Sequence, residues 1–260
     1  YAATLRNAVA DCVRKQADSG LDVVADGEMS KPGFFAYIQE RLGGFAPRPG
    51  SGRAPFAAER AAFPEYYEDY FKRAMTGGSV APIVPMACVG PITYKGDAAL
   101  RRDLDNLNAA LAAVPHTEAF MPAVAPGGVG YNEYYKSDAD YFFALADALN
   151  VEYRAIVDAG FVLQIDDPGL PAFWDRYIPA ISLEQYRKEA ARRVELVNLA
   201  LAGVPEDRVR YHICWGSWHG PHATDIPLES LVDLMLDVKA QMYSIEAANA
   251  RHEHEWRVWQ

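Results

Sequence analysis

The feature that most constrains this chain is an alternation of short apolar strands with amphipathic helices, in which nearly every strand runs into a polar or Gly/Pro motif. Residues 1–19 carry apolar side chains at helical spacing and stop at Gly20. Residues 21–25 read as a strand ending in Asp26-Gly27-Glu28. Strands at 81–87, 118–124, 161–165, 209–215 and 241–245 follow. They end in CVGP, APGG, DDPG, HICWG and EAAN motifs or contain them. Helices are expected at 97–113, at 138–159 between Ser137 and Gly160, at about 182–202 behind Ser182, and at 228–239.

Strands separated by helices imply a parallel sheet, either doubly wound or closed into a barrel. Polar motifs at almost every strand end favour the barrel, because a barrel brings those ends to one mouth, whereas a doubly wound sheet gathers them at one switch point. The expected fold is therefore α/β, a (β/α)8 TIM barrel over residues 1–260 as a single catalytic unit. Six units are visible, so its first and last strands are expected outside Tyr1–Gln260. The stretch at about 43–80, rich in Gly, Pro, Ala and Tyr, reads as an insertion with a helix at 64–75.

Composition narrows the partners. Half of the 260 residues are hydrophobic, ample for a large core, and the net charge of −10 disfavours a nucleic acid partner. No apolar run reaches the roughly 18 residues of a membrane span. Three scattered cysteines (Cys12, Cys88, Cys214) make a poor disulfide framework and fit a reducing cytoplasm. The oligomeric state is left open.

His212-Ile213-Cys214 is the sharpest chemical signal. Residues i and i+2 of a strand share a face, and an imidazole beside a thiolate suits Zn2+. The alternative is a hydrogen-bonded core histidine beside a small apolar cysteine. Glu246 ends the next strand at the same rim, as a third metal ligand, as a cap, or as a partner of Arg251. His252 and His254 are further candidate ligands or solvated groups around the site. His219 and His222 lie in the GSWHGPH loop above the rim, either as proton shuttles or as plain loop residues. Asp166 should point inward and Asp167 sideways. Asp166 would then bind a substrate ammonium, act as a base, or satisfy the N–H groups of its turn. Glu28 offers the same choice on the opposite wall. Cys88 is a ligand, a nucleophile or simply buried. The glycines at 127, 128 and 130 lack both nucleotide-loop spacings, and no Gly-x-Ser-x-Gly elbow is present.

Together, QADSGLDVVADGEMSK (16–31), VGPITY (89–94), LQIDDPGL (163–170), RYHICWG (210–216) and YSIEAAN (243–249) resemble the catalytic barrel of the cobalamin-independent methionine synthase family. The resemblance implies zinc held by His212, Cys214, Glu246 and a second cysteine beyond Gln260. It implies that Glu28 and Asp166 hold the amino acid group of homocysteine. The implied reaction is attack of a zinc thiolate on a methyl donor such as 5-methyltetrahydrofolate, so the partners would be a small thiol and a methyl or alkyl donor. Where the family carries a tryptophan after its GPVT-like segment, this chain has Tyr94-Lys95-Gly96-Asp97. The GSWHGPHATDIPLE segment is more similar to single-barrel relatives, among them the epoxyalkane:coenzyme M transferases. Epoxide opening by a thiol is thus the runner-up. A metal-free lyase or decarboxylase on the same barrel, and a binding relative without catalysis, are the readings of other classes.

Overall fold

Helix formation follows the apolar spacing and the caps. In the computed structural model, which describes residues 1–33, 36–49, 56–72, 84–216 and 219–260, the first helix buries Leu5, Val9 and Val13 along one stripe. In chain order the elements are α1 (Ala2–Asp18), β1 (Val23–Ala25), α2 (Ala36–Arg41), β2 (Leu42–Pro47), α3 (Ala57–Ala62), α4 (Pro64–Tyr70), β3 (Met86–Tyr94), α5 (Asp97–Leu111) and β4 (Glu118–Val124). They continue as β5 (Tyr131–Asn132), α6 (Asp138–Asp158), β6 (Val162–Asp166), α7 (Gly169–Ala172), α8 (Leu183–Ala200), β7 (Val209–Ile213), α9 (Val232–Leu236) and β8 (Met242–Ile245). The Ser137 hydroxyl accepts from the Asp140 amide at the start of α6. Ser182 and Gln185 form a reciprocal capping box at the start of α8.

The main sheet is five-stranded and parallel, in the order β1-β4-β6-β7-β8. Each new strand joins the same edge as the chain advances. This is how a barrel winds, and it lacks the reversal of a doubly wound sheet. Among the described residues β1 pairs only with β4 and β8 only with β7, so the sheet is an open half-barrel.

The strand expected at 81–87 does not join this sheet. Residues 81–83 lie outside the described residues, and the following β3 pairs antiparallel with β2 and parallel with β5 in a separate three-stranded sheet. Among the described residues the six expected units therefore become five. An apolar run shows that a strand forms but not which strand it joins. β2 itself falls at the start of the stretch read as an irregular insertion. Gly43 and Gly44 break its apolar pattern, and the register shifts between Gly43 and Phe45. Gly44 takes φ +87°, and a β-carbon there would strike the carbonyls of Gly90 and Pro91. The helix expected at 64–75 is α4, preceded by α3; residues 73–80 lie outside the described residues. The helix expected over 228–239 divides into a 3-10 turn at Leu228–Ser230 and the short α9.

The two faces of the main sheet differ. Val209, Tyr211 and Ile213 of β7 are buried, whereas Arg210 and His212 between them are half-buried. Leu163 and Ile165 of β6 are fully buried, and Gln164 between them is half-buried. One face thus packs into the apolar core. The other carries Gln164, Asp166, Arg210 and His212 in neighbouring register, Gln164 beside Arg210 and Asp166 beside His212. Among the described residues no helix is long and apolar enough to cross a membrane.

Candidate functional site

The site is built where β6, β7 and β8 end. His212 pairs in register with Ser244, and Ile213 with Ile245. The Glu246 amide then donates to the Ile213 carbonyl at 3.2 Å, so Cys214 and Glu246 leave the sheet side by side. Nδ1 of His212 lies 3.1 Å from both the carbonyl and the hydroxyl of Ser244. A proton on Nδ1 satisfies that carbonyl and leaves Nε2 with a lone pair. Burial pushes the His212 pKa down, against the opposing pull of the Ser244 bond, which favours the neutral ring a metal requires. Cys214 is half-buried, and burial pushes its thiol up to about 11, so at neutral pH it stays protonated unless a cation stabilises the thiolate.

Glu246 is committed locally. One carboxylate oxygen accepts from Arg251 Nη2 at 2.8 Å and Asn249 Nδ2 at 2.5 Å, and the other accepts from the Trp215 amide at 3.3 Å. Among the described residues no group of three or more His, Cys, Asp or Glu side chains is gathered to hold a metal ion. In donor type and register, His212, Cys214 and Glu246 fit a zinc site. In geometry Glu246 would have to exchange Arg251 for the metal.

The other carboxylates stand at the ends of β1 and β6, Asp166 of β6 in register beside His212. Asp26 is buried after β1 and accepts from the Glu28 amide at 2.9 Å; Glu28 itself takes a left-handed backbone. Burial raises the Asp26 pKa, and the Lys31 charge opposes the rise. The buried Lys31 ammonium donates to Glu28 Oε1 at 3.0 Å and to the Pro122 carbonyl at 2.5 Å, and lies 4.6 Å from the centre of the Tyr37 ring. Burial lifts the Asp166 carboxyl to about 7 while a 2.7 Å hydrogen bond from Gln164 pulls it down. The charges of Glu28 and Lys31 both act on Asp166, which puts β1 and β6 ends in one electrostatic neighbourhood. Arg210 extends this set. It donates to Gln164 at 2.6 Å and lies 3.7 Å from the centre of the Phe120 ring. Sequence reasoning passed over Arg210, although its position two residues before His212 on one strand was the available signal.

Asp167 turns to the other side of its strand. Its amide donates to the His212 carbonyl at 2.9 Å, and its carboxylate accepts from the Tyr211 hydroxyl at 3.0 Å. Arg193 of α8 stands 3.8 Å from Asp167 and 4.4 Å from the centre of the Phe173 ring. Its guanidinium fills the space above Gly127 and Gly169, where a β-carbon at either glycine would collide with it.

The remaining histidines divide. The His219 carbonyl accepts from the Tyr66 hydroxyl of α4. His222 is buried against Asp225 at 2.9 Å. His252 is buried between Asp225 and Glu255, whereas His254 is exposed. Cys88 is buried in β3, far along the chain from the strand ends that carry the candidate ligands, and burial raises its pKa.

This architecture, a parallel α/β half-barrel with polar strand ends, defines the class to which comparisons can be made. No family model matches the chain. Among curated proteins it is similar to the methionine synthase of Sulfolobus acidocaldarius, 26% identical over 232 residues, covering 86% of this chain and 56% of that protein. The methionine synthase of Saccharolobus solfataricus is 27% identical over 216 residues, covering 82% and 53%. The chain thus spans about half the length of the curated relatives it matches. Among solved structures it superposes on a B12-independent methionine synthase from Shewanella in complex with selenomethionine. The TM-score is 0.54 at 18% identity, covering 82% of this chain and 52% of that one. A putative vitamin-B12 independent methionine synthase from Listeria monocytogenes gives 0.55 at 21% identity, covering 82% and 55%. At those identities the structural likeness establishes the fold.

Proposed function

We propose that the chain is the thiol-activating part of a cobalamin-independent methyltransferase of the methionine synthase type. In this reading its half-sheet is part of a (β/α)8 barrel, and His212, Cys214 and Glu246 hold Zn2+. The observation that carries the reading is the end of β7 and β8: a His212 ring anchored through Nδ1 on Ser244, with Cys214 and Glu246 beside each other two residues further along. The similarity to methionine synthases supports it. Zinc, when bound, stabilises the thiolate form of a substrate thiol at neutral pH and so supplies the nucleophile.

The chain's own residues do the rest. Ser244 fixes the tautomer and ring plane of His212. Asp166 and Glu28 hold the ammonium of an amino-acid thiol, homocysteine or a relative, while Lys31 orients Glu28 through its 3.0 Å contact. The thiol is the acceptor, and its co-substrate is a small methyl or alkyl donor, with 5-methyltetrahydrofolate as the default. His219 and His222 belong to the loop that would carry a proton to the leaving group. A second reading, epoxide opening by a sulfonate thiol, is favoured by the Arg210 guanidinium on the same face as His212.

Metal analysis of the full-length protein, with a screen of small thiols for zinc-dependent binding, tests this. Near-stoichiometric zinc that disappears in Cys214→Ser and His212→Ala is the expected result. A zinc-free wild type, or variants with wild-type zinc content, would sink the assignment.

A further inference from the structure

The ARHEHEW motif, which the transfer chemistry leaves unused, meets the GPHATDIP loop behind the strand end. Nδ1 of His222 lies 2.9 Å from Asp225 Oδ2, and Nε2 of His252 reaches the same oxygen at 3.1 Å. On its other side, Nδ1 of His252 lies 2.9 Å from Glu255 Oε2, while Glu255 Oε1 accepts from the Leu228 amide at 2.7 Å. The result is a buried chain His222–Asp225–His252–Glu255. A carboxylate only accepts, so both ring nitrogens of His252 are called on to donate, which is met by the doubly protonated ring. Burial alone would lower the His252 pKa, but Asp225 and Glu255 raise it above the ordinary histidine value. Burial alone would raise Asp225, but His222 and His252 hold it below the usual carboxylate range.

The face of His252 is also occupied. Its ring stacks on the indole of Trp215, with centroids 3.7 Å apart and planes 21° apart. Trp215 is fully buried, and its Nε1 donates to the Ile226 carbonyl at 2.7 Å. It directly follows Cys214, and its amide donates to Glu246. A second route runs through Asn249, whose Oδ1 accepts from the His252 amide at 3.0 Å while its Nδ2 donates to Glu246. Residues 246, 249, 252 and 215 therefore form a closed ring of contacts around the strand end.

We propose that His252 is a positioning residue: held in plane by Asp225 and Glu255, it clamps Trp215 and so fixes the Cys214 main chain and the Glu246 carboxylate for their task. This rests on the reading of Cys214 and Glu246 as ligands only for its purpose; the clamp itself is testable without metal. It also gives the HEHE run a role through His252 and Glu255 that is distinct from metal ligation.

The test is made on the full-length protein with His252→Ala. Metal-free wild type and variant are treated with iodoacetamide, and alkylation is followed at each cysteine by peptide mass spectrometry. Trp215→Phe supplies the blank that isolates the Trp215 fluorescence. The expected result is a rise of about tenfold in the Cys214 rate, because the end of β7 opens more often and exposes its thiol. Trp215 emission should shift, while Cys88, buried elsewhere, stays at its wild-type rate. Zinc affinity, read by competition with a chromophoric chelator, should fall by about 10–100-fold, as for other groups that orient ligands from behind. A parallel rise at Cys88 means general loosening and overturns the proposal. So does a folded variant with an unchanged Cys214 rate. If His252→Ala does not fold, the isosteric Asp225→Asn carries the same test with a smaller rise at Cys214 alone. A wild type that binds no zinc would defeat the proposed function, yet the alkylation and fluorescence results would still decide the clamp.

Discussion

Among the described residues, the Arg41 cluster of buried charge and the cluster at the strand ends are organised in opposite ways. In the first, Arg41 of α2 bridges Glu152 of α6 at 3.0 Å and Asp103 of α5 at 2.5 Å. Tyr94 donates to the second oxygen of Glu152 at 2.8 Å, and Arg102 covers the second oxygen of Asp103 at 2.9 Å. The side chains of Arg41, Asp103 and Glu152 are 5%, 2% and 1% exposed, and each carboxylate oxygen has a protein donor. In the second cluster, at the strand ends, Glu246 is fully partnered but other groups are not. Among the described residues the Asp166 carboxylate accepts only from Gln164, and Nε2 of His212 has no hydrogen-bond partner. Burying a charge is costly unless its neighbours complete it. The closed cluster ties α2, α5 and α6 together and has nothing left to offer a ligand. The open one keeps atoms uncommitted, as a binding site must.

The largest effect should come from breaking the closed cluster. Arg41→Met leaves Asp103 and Glu152 facing each other without their bridge, and should cost about 3–5 kcal/mol of stability in chemical denaturation. Zinc content of the surviving folded fraction should be unchanged, and a loss of zinc equal to that of Cys214→Ser would erase the distinction between the clusters. Next is the converse: Cys214→Ser and His212→Ala should abolish zinc binding and leave the denaturation midpoint near wild type. Their strand is held by Tyr211, Ile213 and Trp215, all buried. A large drop in midpoint would place His212 and Cys214 with the structural residues.

Asp166→Asn is expected to act more gently. It should raise KM for an amino-acid thiol by about tenfold, the worth of one charged hydrogen bond, and leave zinc content alone. An unchanged KM for a thiol without an ammonium, such as a sulfonate thiol, would favour epoxide opening. The smallest effect is a dependence on pH at the histidine chain. His252, with a pKa raised from about 6.5, lends stability that is complete below that value and is lost as pH climbs through the raised one. Asp225, lowered from 3.8, lends stability that is complete above that value and is lost as pH falls through the lowered one. Hydrogen exchange at the Leu228 amide, corrected for intrinsic rates, should therefore be slowest between these limits. A profile that is flat across both would show that the chain does not hold this segment.

The strands that became the half-barrel were legible because each joins its neighbour in chain order and announces its end with a polar motif. Helices α6 and α8 were equally plain from Ser137 and Ser182. What escaped the sequence was pairing that depends on distant partners. β2 and β3 meet across about 40 residues of chain, and no local period encodes that choice. At the candidate site, the placement of His212, Cys214 and Glu246 side by side was readable from their spacing on two strands. Arg251 as the present partner of Glu246 was one of the alternatives that residue spacing left open. The stack of His252 on Trp215 was not foreseeable, because it joins a loop after β7 to a turn after β8 through space alone.

The Arg193 guanidinium above Gly127 and Gly169 has a consequence for how this chain can change. Three positions on three separate segments share one volume, and none of them can be altered as though the others were absent. Alanine at 127 or 169 would collide in this background; a shorter residue 193 clears position 127, and leaves position 169 only the tight 3.2 Å approach of Asp167 Oδ1. Combined substitutions should therefore be milder than the single ones predict. Engineers grafting loops from similar α/β proteins onto this scaffold would have to transplant the three residues as a unit.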